Sequence, residues 1–138
     1  VFKRILLATD GSKHSVRSAN HAIQLANQFN GTIDVVYVVD EQTSKSDVLH
    51  NDSKYEIERK RKEKIQSVLE QLKETDIEYN VQILHGQPGP AIVEFANTND
   101  FDCIVIGSRG LNNLQTMILG SVSHKVAKRA DCPVLIVK

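Results

Sequence analysis

The sequence predicts a single α/β domain built on an open five-stranded parallel sheet with helices on both faces. Three observations carry this. Short apolar runs alternate along the chain with segments whose apolar residues recur every three or four positions. Several of the runs are nearly continuous rather than alternating, the pattern of parallel strands covered on both faces. The first and fourth runs end in glycine-containing turns that lead toward helices.

Ile5-Leu6-Leu7-Ala8 forms the first strand, stopped by Thr9-Asp10-Gly11-Ser12. Val16, Ala19, Ala22, Ile23, Ala26 and Phe29 mark one face of the first helix. Gly31 ends that helix as a C′ glycine. Ile33 to Val39 is the second strand, and Asp40 to Asp52 is the longest polar, aperiodic stretch. Ser53-Lys54-Tyr55-Glu56 matches a capping box and opens a second helix that runs to about Glu74. Ile57, Ile65, Val68, Leu69 and Leu72 form its inner stripe. Its first half, Glu56 to Lys64, is dense in charge of both signs. A solvated face laced with i,i+4 pairs outweighs a basic binding surface as the reading.

Ile77 to Leu84 is the third strand, and the alternation of Tyr79, Val81 and Ile83 with polar residues places it near a sheet edge. Gly86-Gln87-Pro88-Gly89-Pro90 is a turn, with Pro90 at the first position of a short helix to about Asn99. Cys103 to Ile106 is the fourth strand. Gly120 to Ala130 is the fourth helix, with Val122, Val126, Ala127 and Ala130 inward, and Pro133 to Val137 is the fifth strand. Crossovers between such parallel strands are right-handed. With the spatial order 3-2-1-4-5, strand order reverses between the first and fourth strands. Ligands bind at such a reversal, beyond the carboxyl ends. Thr9-Asp10-Gly11 and Gly107-Ser108-Arg109-Gly110 then line one crevice.

Composition excludes several function classes. The chain of 138 residues suits one domain, residues 1–138. Lys+Arg and Asp+Glu both number 17 and aromatics are 5%, so there is no nucleic-acid footprint. No apolar stretch approaches the roughly 18–20 residues of a membrane span. The opening Val1-Phe2-Lys3-Arg4-Ile5 is too short an apolar run for a signal peptide. Cys103 and Cys132 lack metal-site spacing and read as reduced, small buried hydrophobes in a reducing compartment. The expected location is cytoplasmic.

The chemistry gathers at Gly107-Ser108-Arg109-Gly110, with Gly120-Ser121 following after nine intervening residues. A strand, a glycine-rich turn and a helix start together make an anion site, because backbone N–H groups point outward and the helix dipole favours negative charge. A phosphate-bearing ligand, a nucleotide, is the expectation. Asp10 serves equally as the cap of the first turn and as a ligand contact. For Ser121, capping and phosphate binding share one geometry. Arg109 is either a surface charge or the cation beside the phosphates. Leu111 to Leu119 is a packed connection or a lid. The histidines at 14, 21, 50, 85 and 124 lack zinc spacing, and no His-Glu-x-x-His, Cys-x-x-Cys, Gly-x-Ser-x-Gly or Gly-x4-Gly-Lys-[Ser/Thr] occurs. No catalytic residue and no protein-held metal are expected.

The opening Lys3-Arg4-Ile5-Leu6-Leu7-Ala8-Thr9-Asp10-Gly11-Ser12 resembles that of the universal stress protein family. So do the spacing Gly-x-x-Gly-x9-Gly-[Ser/Thr], the stretch Gly120-Ser121-Val122-Ser123-His124-Lys125-Val126, and Cys132-Pro133-Val134-Leu135-Ile136-Val137. The match runs end to end and includes the spacing that marks that family's ATP-binding branch. It implies a Rossmann-like fold of the adenine nucleotide alpha hydrolase type, binding ATP with magnesium or manganese carried on the phosphates. By that resemblance the backbones of Ala8 and Thr9, with Val38, frame the adenine. Asp10 faces the ribose or a phosphate-bound cation, and Gly107 passes beneath the ribose and α-phosphate. Gly110, Gly120, Ser121 and Val122 offer backbone donors, and Ser121 and Ser123 add hydroxyls. Arg109 brings positive charge. The implied role is regulation or sensing in the stress response. A weak ATPase, a structural module with a vestigial site, and a cyclic-nucleotide ligand stay as alternatives. The apolar edge strand 133–137 invites pairing, and the resemblance implies an antiparallel homodimer across a two-fold axis.

Overall fold

Five strands form one all-parallel sheet: β1 (Arg4–Thr9), β2 (Thr32–Val39), β3 (Tyr79–His85), β4 (Cys103–Gly107) and β5 (Val134–Val137). Their spatial order is β3-β2-β1-β4-β5, as the reversal argument requires. The structure is a computed structural model that describes residues 1–40, 53–109 and 120–138. The described helices are α1 (His14–Phe29), α2 (Lys54–Lys64), α3 (Gln66–Lys73), α4 (Pro88–Thr98) and α5 (Ser121–Arg129).

The continuity of the apolar runs has a direct cause. Successive strand residues point to opposite faces, and both faces are covered. Ile5, Leu7, Val35, Tyr37 and Val105 join a core with α1 and α3. Leu6, Ala8, Val36, Ile104 and Ile106 join a second core with α4 and α5. In β3 only Tyr79, Val81, Ile83 and Leu84 are partly buried, as suits its place at the sheet edge.

The end of α1 differs from the expectation. Asn30, not Gly31, takes the left-handed conformation (φ 52°), and its N–H donates to the Ala26 carbonyl. Gly31 N–H donates to that same carbonyl at 2.9 Å. Gly31 is glycine for another reason. A Cβ there would stand 2.7 Å from the Phe2 carbonyl oxygen and 2.8 Å from that of Lys3.

The second helix is two helices. The capping box forms, with the Ser53 hydroxyl accepting from Glu56 N–H at 3.1 Å. Arg59 pairs with Glu56 at 2.8 Å and Glu63 at 2.5 Å on the solvated face. The chain then breaks at Ile65 (φ −108°, ψ 14°). No residue of α2 is buried, whereas Ile65, Val68, Leu69 and Leu72 are core. The apolar stripe begins at the break, so packing holds α3 and leaves α2 outside; Ile57 is only half-buried.

In α5, Val126 is buried and Val122 and Ala130 pack against the second core, but Ala127 is exposed. Asn97 ties the end of α5 to α4, donating to the Arg129 carbonyl at 3.3 Å and accepting from Asp131 N–H at 2.9 Å. The Asp102 carboxylate accepts from the N–H groups of Lys3 and Arg4, both at 2.9 Å, pinning the start of β1 to β4. Cys103 belongs to the α1 face and Cys132 packs on the other, and no disulfide joins them. No helix among the described residues is long and apolar enough to cross a membrane.

Candidate functional site

β1 and β4 part before they end. Their ladder stops at Leu7 and Val105. β1 continues beside β2 to the pair Thr9 and Tyr37, and β4 continues beside β5 to Gly107 and Val137. Ala8-Thr9 and Ile106-Gly107 therefore edge a crevice at the carboxyl end of the sheet, where strand order reverses. Continuing the β1–β2 register by one residue brings Asp10 level with Val38. The structure thus brings Ala8, Thr9, Asp10, Val38 and Gly107 to one end of the fold.

Asp10 holds the turn into α1. Its Oδ1 accepts from Ser12 N–H at 2.9 Å and from the Ser15 hydroxyl at 3.1 Å. The residue at the helix N-cap, Lys13, makes no side-chain cap, so the Asx turn does that work. Gly11 sits at φ 81°, and a Cβ there would stand 2.9 Å from the Lys64 carbonyl oxygen. Only glycine serves both conditions, and the turn is thereby seated against the end of α2.

The polar residues buried among those described are Thr9, Ser15, Ser18 and Ser123. Ser18 is 1% exposed, its hydroxyl has no hydrogen-bond partner, and it lies 3.1 Å from where a Gly107 Cβ would be. The hydroxyl of Ser12 is likewise buried without a partner. Sequence reasoning missed Ser15 and Ser18. Their three-residue spacing on the inner face of the first helix was the available signal.

Across the crevice, Gly120 N–H donates to the Ser108 carbonyl at 3.3 Å. A Cβ on Gly120 would stand 3.1 Å from that oxygen, so any other residue there would crowd the strand end. The first bond of α5 runs from His124 N–H to the Gly120 carbonyl at 2.9 Å. The N–H groups of Ser121, Val122 and Ser123 have no intrahelical acceptor. Gly120 supplies no side-chain cap, and the first turn holds no acidic residue. The Ser123 hydroxyl is committed to the Gly120 carbonyl at 3.0 Å and is buried, whereas Ser121 is exposed. Arg109 is exposed. Gly110, the Leu111–Leu119 connection, residues 41–52 of the long loop and His50 lie outside the described residues.

A turn of outward N–H groups at a positive helix end, floored by glycine, suits a phosphate. Among the described residues, no group of three or more His, Cys, Asp and Glu side chains could hold a metal. Burial pushes the Cys103 thiol up to about 11, from 9.0. That group lies at the other end of β4, away from the crevice.

A family model described as the universal stress protein family matches residues 2–138. The sequence is 39% identical to universal stress protein MJ0531 of Methanocaldococcus jannaschii, over 100% of this chain and 83% of that one. The solved structure of MJ0577, from the same organism, superposes with a TM-score of 0.84 at 30% identity, over 99% of this chain and 96% of that one. A universal stress protein solved in complex with cAMP shares the fold at a TM-score of 0.75 and 24% identity, over 99% of this chain and 97% of that one.

Proposed function

Since the chain belongs to the universal stress protein family, we propose that it binds ATP across the crevice between β1 and β4 and acts as a nucleotide-dependent regulatory module in the stress response. One observation carries the reading. The first turn of α5 presents N–H groups with no internal acceptor and contains no acidic residue, and across the crevice the strand ends in Gly107, where a Cβ would crowd the Ser18 hydroxyl at 3.1 Å.

In this reading the backbones of Ala8, Thr9 and Val38 frame the adenine. Asp10 faces the ribose or a magnesium or manganese ion carried by the phosphates. Gly107 passes beneath the α-phosphate. Gly110, Ser121, Val122 and Ser123 donate backbone N–H groups, the Ser121 hydroxyl adds one more donor, and Arg109 adds charge; the Gly120 N–H, expected among these donors, is instead committed to the Ser108 carbonyl. The Ser123 hydroxyl instead holds the turn. Binding that favours one arrangement of the crevice shifts the population toward it, which is all a regulatory module requires.

The same reading includes a homodimer through β5. Among the described residues this strand pairs on one side only, and its Leu135 is 38% exposed. Antiparallel pairing across a two-fold axis covers that edge.

Calorimetric titration of magnesium ATP into protein stripped of nucleotide by unfolding and refolding tests the site. Saturable binding, lost in Gly120→Val, is the expected result. No binding by the refolded wild-type protein overturns the proposal.

A further inference from the structure

Gly89 is buried in the first turn of α4. A Cβ there would lie 2.8 Å from Lys125 Cδ and 3.4 Å from both Lys125 Cβ and Cγ. Three successive carbons of the Lys125 stem are therefore laid along Gly89. The ammonium is two bonds beyond Cδ, so it remains near this first turn. Lys125 lies four residues after Ser121 on α5. Those two residues share a helix face, and side chains lean toward a helix's N-terminus. The lysine stem thus runs from the second turn of α5 along the first turn of α4.

In that placement the ammonium adds positive charge to a region that already carries it. Both helix ends carry partial positive charge. Neither first turn contains an acidic residue. Lys125 has no ion pair among the described residues, and the segment 110–119 contains no Asp or Glu. An anion arriving from outside would balance that charge. Pro88 and Pro90 lack N–H groups, so α4 contributes its dipole and the pinned lysine more than a row of donors.

We propose that Lys125 meets the outer phosphates of the bound nucleotide, so that the site grades adenine nucleotides by phosphate number, ATP above AMP. This rests on the nucleotide reading of the α5 crevice. It gives the site a helix-borne lysine in place of the loop lysine that the glycine motif lacks. Gly89 is glycine because the lysine stem crosses it.

Affinities for magnesium ATP and for AMP, measured by calorimetry across a salt series, test the assignment in three variants. Lys125→Met keeps the stem and removes the charge. Its ATP affinity is expected to fall about tenfold while AMP affinity stays within about twofold. Lys125→Arg keeps the charge and retains the preference for ATP. Gly89→Ala meets a flexible stem rather than backbone, so it displaces the lysine at little cost in melting temperature and repeats the Lys125→Met loss. Wild-type binding of both nucleotides with no change in Lys125→Met overturns this inference and leaves the nucleotide site standing. Absence of wild-type binding to either overturns both.

Discussion

The N–H of Gly120 and the carbonyl of Ser108 meet at 3.3 Å and close the base of segment 110–119. The same carbonyl would be 3.1 Å from any Cβ at Gly120. Gly120→Val therefore crowds the strand end against the helix start. The expected cost is about 1–3 kcal/mol, with loss of nucleotide binding. Denaturant unfolding and titration of the same sample check the pair of effects. Unchanged stability would mean that the contact is not tight.

Asp10 has a structural role that can be separated from a ligand role. Asp10→Ala removes the acceptor for Ser12 N–H and the Ser15 hydroxyl. A loss of about 1–2 kcal/mol is expected. Asp10→Asn keeps an acceptor oxygen and should recover most of that stability. Nucleotide affinity that stays low in the stable Asn variant would show that the negative charge itself serves the ligand.

Ser18→Ala deletes a buried hydroxyl that makes no hydrogen bond. Stability should lie between no change and a gain of about 1 kcal/mol, since no bond is lost and a desolvated polar atom is removed. A thermal melt is sufficient. Clear destabilisation would reveal a partner for this hydroxyl in solution.

The Cys103 thiol, raised from 9.0 to about 11 by burial, sets a pH dependence. Between those values the unfolded chain has given up the thiol proton while the folded chain keeps it. The folded state then binds more protons, so stability falls as pH rises through that window and is unaffected by this group below it. Denaturant midpoints across the window should fall less steeply in Cys103→Ala. In native protein, Cys132 should react with a thiol reagent before Cys103.

Leu135→Glu places a charge on the exposed face of the edge strand β5. Sedimentation should show the wild-type protein as a dimer and the variant as a monomer. A dimer that survives the substitution is held elsewhere.

The sheet was legible in the sequence because strands covered on both faces must be apolar at consecutive positions. Ile5, Leu6 and Leu7 leave no other economical reading, and all three are fully buried. The break at Ile65 was hidden because Ile57, eight residues earlier, fits the same helical spacing, although buried packing starts only at Ile65. Ala127 misled because alanine marks a buried position and an exposed helical one equally well. The glycines and Asp10 of the crevice were visible as local motifs. The approach of Lys125 to Gly89 and of Ser18 to Gly107 was not. Each depends on packing between elements distant along the chain, and neither alters local periodicity.

The seam between β1 and β4 is three residue pairs long, Ile5–Cys103, Leu6–Ile104 and Leu7–Val105. The β1–β2 seam has six pairs and the β2–β3 seam has seven. The β4–β5 seam has four, so the pairing is shortest where strand order reverses, and the crevice opens at the end of that short seam. A molecule lodged there would touch the strands on both sides of the seam and work as a rivet. Pulled across the strands, the protein should give way at a higher force when the crevice is occupied.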